Sequence, residues 1–199
     1  MPGDGMKKKK KEEFRQDKPQ SGFLSQLYLT ESQRKSLLHW GLYAVILVAL
    51  SVVQDVLLCR FRINGATTDL VPCAIFLICV LEGAESGSVF ALVASTLYLF
   101  TGNAPGIFCM VFLTGISVLV TVFRQGYLQR GFVSTLLCVT MALVIYELAV
   151  FGIGMFLGLT AGNRFWGFLI TAGLTALVSP ALYPLMSAVC NLGGEAWKE

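Results

Sequence analysis

Residues 86–123 read SGSVFALVASTLYLFTGNAPGIFCMVFLTGISVLVTVF, thirty-eight positions without one charged side chain. The run is too long for one ordinary helix. Its middle, Thr101-Gly-Asn-Ala-Pro-Gly106, is a turn signal. Two apolar helices joined by a short turn fit this pattern, and a bilayer is the solvent that accepts them, since a span takes about 20 apolar residues. Working outward, further charge-free runs occupy 36–54, 70–81, 131–146, 148–163 and 165–194. The two runs flanking Glu147 are each short and together make one long helix.

The whole chain agrees with that reading. It is 55% hydrophobic and 14% charged, with mean hydropathy +0.70. A soluble domain carries about 25% charged residues to cover its surface. The expected fold class is therefore all-α, a polytopic membrane protein with six transmembrane helices near 36–58, 68–83, 86–101, 106–124, 132–159 and 165–191. Helices two and three are short, and form either thin spans or a re-entrant hairpin. Three regions follow: a cytoplasmic basic tail with an interfacial stretch (1–35), a six-helix membrane domain (36–191) and a cytoplasmic C-terminus (192–199).

Orientation follows from basic residues, which favour the cytoplasmic side. With the N-terminus inside, twelve Lys and Arg fall in the cytoplasm and three, Arg60, Arg62 and Arg164, outside. Both termini are then cytoplasmic. The first apolar run reads as a retained anchor. The Lys-rich block Lys7 to Lys11 is a topogenic charge cluster able to meet anionic membrane lipids. Phe23, Leu24, Leu27 and Tyr28 form an interfacial stretch. Thr30-Glu-Ser-Gln33 reads as a capping box, with Trp40 and Tyr43 near the headgroups. No nucleic-acid motif appears.

Catalysis finds little support. Six cysteines, at 59, 73, 79, 109, 138 and 190, form no C-x-x-C pair and read as packing residues. One histidine and no ligand cluster argue against a metal, and no cofactor motif is present. Gly115-Ile-Ser117 has a G-x-S form but lacks a base, because the expected topology puts His39 at the opposite membrane face. The chain reads as no enzyme.

The candidate interaction and structural residues are few. Glu147 lies midway along helix five. It is either a protonated or hydrogen-bonded acid facing the bundle, or a contact to a partner helix or ligand cavity. Asp69 opens helix two, where its carboxylate can cap free N–H groups and meet the helix dipole. Asp55 and Asp69 bracket the loop holding Arg60 and Arg62, which reads as local pairing. Glu82 and Glu85 flank a tight turn at Gly83 and Gly87 and read as solvated. Gly154, Gly158 and Gly162, spaced by four, make a stripe on helix five that another helix, of this fold or a partner, can approach closely. Pro180 and Pro184 should kink helix six.

From Phe61-Arg-Ile-Asn-Gly65 through Asp69-Leu-Val, Leu81-Glu-Gly83-Ala-Glu-Ser-Gly87, Tyr98-Leu-Phe-Thr-Gly102 and Gly106, the chain resembles the rod shape-determining protein MreD family of bacteria. The likeness extends over roughly 38–190 and includes the loop 124–132 and the segment 175–183. The family often has proline directly before the helix-two aspartate; here Thr68 precedes Asp69 and Pro72 follows. It often has a second aspartate four residues before the glycine of the S/T-G turn, where this chain has Tyr98. The resemblance implies a non-enzymatic membrane component of the cell-elongation (rod) complex in the bacterial cell membrane. Its partners would be MreC-like and MreB-like proteins and the rod-complex peptidoglycan synthase, and its role positioning wall synthesis and keeping cell shape. The family's architecture is similar to vitamin-binding subunits of energy-coupling-factor transporters. The alternative is therefore a substrate-binding transport subunit, marked by an outward polar pocket lined by helices one, four, five and six.

Overall fold

The computed structural model describes residues 31–56, 58–60, 66–101, 106–127 and 131–192. The basic tail, the interfacial stretch, Thr30, residues 61–65, the turn at 102–105, Arg130 and residues 193–199 lie outside the described residues. Among the described residues there are six α-helices and no β-strand: α1 Glu31–Val56, α2 Leu70–Glu82, α3 Ala84–Phe100, α4 Ile107–Tyr127, α5 Phe132–Phe156 and α6 Phe165–Leu192. Single 3-10 turns, Leu58–Arg60 and Gly162–Arg164, follow α1 and precede α6.

Four stretches are long and apolar enough to cross a membrane: Arg34–Val56, Ile107–Gly126, Phe132–Phe156 and Gly162–Asn191. Their outward faces carry Val45, Val48, Val111, Leu119, Met141 and Leu177, all exposed. Water would penalise such a surface, whereas lipid tails cover it without cost. The chain is an all-helical membrane protein.

α2 is the centre. All thirteen of its residues are buried, and it packs against each of the other five helices. At 1.5 Å per residue it is about 20 Å long, well short of a hydrocarbon core of about 30 Å. It is shielded from lipid by protein rather than matched to lipid by length. Pro72 sits in its first turn, where no intrahelical N–H is required.

Successive helices alternate in direction. α1 brings Gln54 to the start of α2 and His39 to its end. α3 returns, placing Gly87 against Cys79 and Tyr98 against Asp69. α4 reaches the last turn of α2 through Arg124. α6 puts Thr175 at the Asp69 end and Met186 beside Tyr43 at the Glu82 end. The start of α1 and the end of α6 therefore share one end of the bundle.

The α2–α3 connection is a single residue. Gly83 has φ 95°, a left-handed conformation that favours glycine, and its N–H closes the last turn of α2 on the Cys79 carbonyl. One turn later Gly87 lies so close to α2 that a Cβ there would stand 3.0 Å from both Cα and O of Cys79. The Cys79 thiol donates to the Gly87 carbonyl at 3.2 Å. A close helix approach thus occurs at Gly87, within the turn that was expected at Gly83 and Gly87.

Gly154, Gly158 and Gly162 do not form a helical stripe. α5 stops at Phe156, three residues before the expected end. Gly158, at φ 70°, takes the left-handed position of a Schellman cap: Leu159 N–H donates to Gly154 O at 2.8 Å and Gly158 N–H to Met155 O at 3.1 Å. A Cβ at Gly154 would meet Thr160 Oγ1 of the returning chain at 2.8 Å, while Gly158 and Gly162 face open space. Spacing by four predicts a common face only while the helix continues, and here glycine ends it.

α6 runs through both prolines as one helix. Pro180 cannot donate to the Ala176 carbonyl, and Ser179 Oγ does so instead at 2.8 Å. A serine beside the proline repairs the ladder, as membrane helices allow.

Gly87→Val should separate α2 from α3. Overpacking of this kind costs about 1–3 kcal/mol, read as a lowered melting temperature of the purified protein. Gly115→Ala, where a Cβ meets nothing within 4 Å, should melt like the parent. Equal melting of the two variants would refute the close α2–α3 crossing.

Candidate functional site

A helix that ends inside a protein leaves N–H groups free at its start and carbonyls free at its end. In water solvent takes them; α2 has neither end in reach of bulk water by its own length. Side chains of the longer helices take them instead, and two polar clusters result.

The first cluster lies at the Asp69 end. Gln54 Oε1 accepts from Leu70 N–H at 2.9 Å and Val71 N–H at 3.2 Å, so a glutamine of α1 caps α2. The amide nitrogen of the same residue donates to Asp69 Oδ1 at 2.8 Å. Asp69 holds the N-cap position, yet its carboxylate makes no cap bond. This corrects the expectation that Asp69 caps the helix. The physical reason is competition: Tyr98 Oη donates to both Asp69 oxygens, at 3.1 and 3.0 Å, and Gln54 takes the remaining direction. Gln54 Oε1 already takes the Leu70 and Val71 N–H groups, which leaves the carboxylate little to cap. The Asp69 backbone N–H donates to Thr175 Oγ1 at 3.0 Å, tying α6 to the same point.

Glu147 faces the bundle with 7% of its surface exposed. It lies within electrostatic range of Asp69, as do Tyr146 and Cys109. Tyr146 is 2% exposed, and its Oη has no hydrogen-bond partner. No described basic side chain pairs with Asp69 or Glu147; the ion pair found among the described residues is at the other cluster. Arg60 and Arg164 are exposed, and the side chain of Arg62 lies outside the described residues. Gln54 and Tyr98 hold the Asp69 carboxylate, and the expected pairing with Arg62 falls outside the described residues.

The second cluster lies at the Glu82 end and was not expected. Glu82, read from sequence as solvated, is 8% exposed. Its Oε1 receives Tyr43 Oη at 2.7 Å and lies 2.8 Å from His39 Nε2. Tyr43, expected near the headgroups, is fully buried. Its ring and that of His39 meet edge to face at 4.8 Å, with Phe90 of α3 beside Tyr43. Arg124, expected as the last residue of helix four, lies in α4, which runs on to Tyr127, and it donates from Nη1 to the Val80 carbonyl, one of the free carbonyls of α2's last turn. A cation there also meets the negative end of the helix dipole. Glu85 is exposed, as a solvated acid should be.

The sequence carried weak signs of this cluster. His39 and Tyr43 are spaced by four on one helix face, and Glu82 ends an apolar run with no basic neighbour in sequence. Their link spans 39 to 43 residues and needs the tertiary fold.

Chemically, these groups brace. Ser117 stands near Cys79, one turn from Glu82, so it shares the half of the bundle that holds His39. That corrects the placement of the two at opposite faces. The Ser117 hydroxyl donates to the Leu113 carbonyl at 2.7 Å, and His39 is engaged with Glu82. No group of three His, Cys, Asp or Glu able to hold a metal exists among the described residues.

Gln54→Ala should cost roughly 2–3 kcal/mol, because it strands two buried N–H groups and one direction of a carboxylate. Asp69→Asn keeps one carbonyl acceptor for Tyr98 and Gln54 to share and should cost under about 1 kcal/mol. Chemical denaturation of both variants in one detergent checks the order. A larger loss in Asp69→Asn would make the aspartate, not the glutamine, the anchor.

No family model matches the chain, and neither the curated proteins nor the solved structures contain a match to it.

Proposed function

We propose that this chain is a non-enzymatic membrane component of the bacterial cell-elongation complex, helping to position peptidoglycan synthesis and maintain cell shape. It would sit in the bacterial cell membrane as a multi-pass protein with both termini cytoplasmic. MreC-like and MreB-like proteins and the rod-complex peptidoglycan synthase would be its partners. The Asp69 end then faces outside and the Glu82 end inside.

One observation carries the reading. The MreD family, which the chain resembles in the order of its motifs, often has acids at two positions far apart in sequence. Here those positions hold Asp69 and Tyr98, and the tyrosine hydroxyl donates to the carboxylate at 3.0 Å. The pair therefore occupies one point in space, as two positions serving a common role would. The rest of the polar inventory favours a brace over a reaction centre, since Gln54, Arg124, His39 and Tyr43 are engaged with α2.

A transport subunit for a small vitamin is the second reading. In its favour, α1, α2, α3, α5 and α6 all send polar groups to the Asp69 end. Against it, α2 fills the centre where a ligand pocket would lie.

Reporter fusions at residues 104 and 127 should read outside and inside, and the reverse would overturn the orientation. In the source bacterium, depletion should round the cells, and the tagged chain should capture an MreC-like protein. Tyr98→Phe should weaken that capture while leaving expression intact. Rod-shaped depleted cells with lost vitamin uptake would replace the elongation reading with transport.

A further inference from the structure

α3 faces lipid and is too short for it. Val89, Leu92, Val93, Leu97 and Phe100 are exposed and follow the spacing of one helical face. Exposed Glu85 stands on that face one turn before Val89, and exposed Thr101 closes the helix at the other end. From Glu85 to Thr101 the helix rises about 24 Å, against a hydrocarbon core of about 30 Å. α2 is shorter still, but protein shields all of it, and α3 has no such shield. The registers of the neighbours make the shortfall one-sided. α3 ends two residues past Tyr98, which meets Asp69, so it stops about 3 Å beyond that level. α6 crosses the same level at Thr175 and begins ten residues earlier, about 15 Å further along. α5 rises with α6, because Phe151 meets Phe165 and Phe168 with ring centroids 5.4 and 5.5 Å apart. Exposed apolar side chains run along α5 from Phe132 to Phe156, about 36 Å. One flank of the bundle reaches across a full bilayer and the other does not.

A short apolar face has three remedies: a thinner bilayer, snorkelling of its flanking side chains, or cover from another helix. Tilt is not among them, because it shortens the span further. Snorkelling takes Lys or Arg, and α3 has neither. Ser88 turns its hydroxyl back onto the Glu85 carbonyl at 2.9 Å. Close pairing of membrane helices takes small residues, and the exposed face of α3 is branched or aromatic throughout. We propose that the α3 face is a lipid-binding surface that selects phospholipids of short hydrocarbon reach and thins the bilayer beside it to about 24 Å, while α5 and α6 hold the full thickness on the other flank. Glu85 then lies at the polar boundary instead of in hydrocarbon, where a carboxylate is costly. This assignment is independent of whether the chain serves wall synthesis or transport.

The test uses the full chain in phosphatidylcholine bilayers whose two monounsaturated chains run from fourteen to twenty-two carbons. The melting temperature should peak at fourteen or sixteen carbons and fall by roughly 5 °C or more at twenty-two. Glu85→Leu with Ser88→Leu adds one turn of apolar surface, about 6 Å, and should move the peak at least two carbons towards longer chains. Glu85→Leu alone, at an exposed position, decides the matter if the double variant fails to fold. Met141→Leu, on the exposed face of α5, should leave the peak where the parent has it. A parent peak at eighteen carbons or beyond, a flat response, or a peak that the Glu85 variants do not move overturns the proposal. An equal shift in Met141→Leu does so too, because the selecting face is then not that of α3. Chains joined through Leu92→Cys by a bifunctional thiol reagent in the twenty-two-carbon bilayer, where the parent is not joined, also overturn it. A second copy, and not thinned lipid, then covers the face.

Discussion

A thirteen-residue helix with no lipid-facing side has to be finished by its neighbours. That constraint organises the molecule. Free N–H and carbonyl groups at the ends of α2 cannot turn to lipid, and each left unpaired would cost about 1–3 kcal/mol. Gln54 and Arg124 meet those needs from two different long helices, one at each end. Around each of these bonds a second polar group gathers, Asp69 with Tyr98 and Glu82 with His39 and Tyr43. The polar residues of the bundle are thus concentrated at two levels set by the length of one short helix. The stretch of α1 between His39 and Gln54 matches α2 in length, which is why a single straight helix can serve both ends.

Between those levels the bundle relies on fit. Lipid offers no hydrophobic drive to bring apolar helices together, so packing and close approach take over. Gly87 lets α3 lie against the backbone of Cys79, and Ser95 of α3 meets Thr114 of α4 at 3.0 Å. The buried thiols Cys73, Cys79, Cys109 and Cys138 fill the spaces around α2 as small apolar groups. The four long helices divide their branched and aromatic side chains between this core, with Tyr43, Leu113, Leu143 and Leu182, and the outer surface, with Val45, Leu119, Ile145 and Leu177.

Much of the fold was legible because charge is scarce. Breaks in hydropathy give the number of helices, and glycine with proline locates the turn before α4. Both signals are local. What could not be read is the assignment of polar partners, which depends on three-dimensional proximity. Asp69 looks like a cap from sequence because it stands at the right position; Tyr98, 29 residues away, changes its job. Glu82 looks solvated because it adjoins a glycine turn, yet His39 and Tyr43 of α1 cover its carboxylate. The glycine stripe of α5 failed for a local reason: Gly158 prefers the left-handed cap that stops the helix carrying the stripe. Tyr146, whose buried hydroxyl finds no hydrogen-bond acceptor or donor in range, has no sequence signal at all, since a tyrosine in an apolar helix is ordinary.

The order in which these bonds span the chain has a consequence for biosynthesis. Gln54 lies 16 residues before Leu70, so the start of α2 finds its cap on a helix already made. The Val80 carbonyl waits for Arg124, 44 residues later, and Asp69 waits for Thr175, 106 residues later. A nascent chain halted after α3 therefore has the first N–H groups of its central helix capped and the Val80 carbonyl still without Arg124. Arg124 then closes the far end of α2, and Thr175 closes the near one last. Truncated products would display that bare helix end within the membrane, a mark by which membrane quality-control proteases can tell an unfinished copy from a complete one.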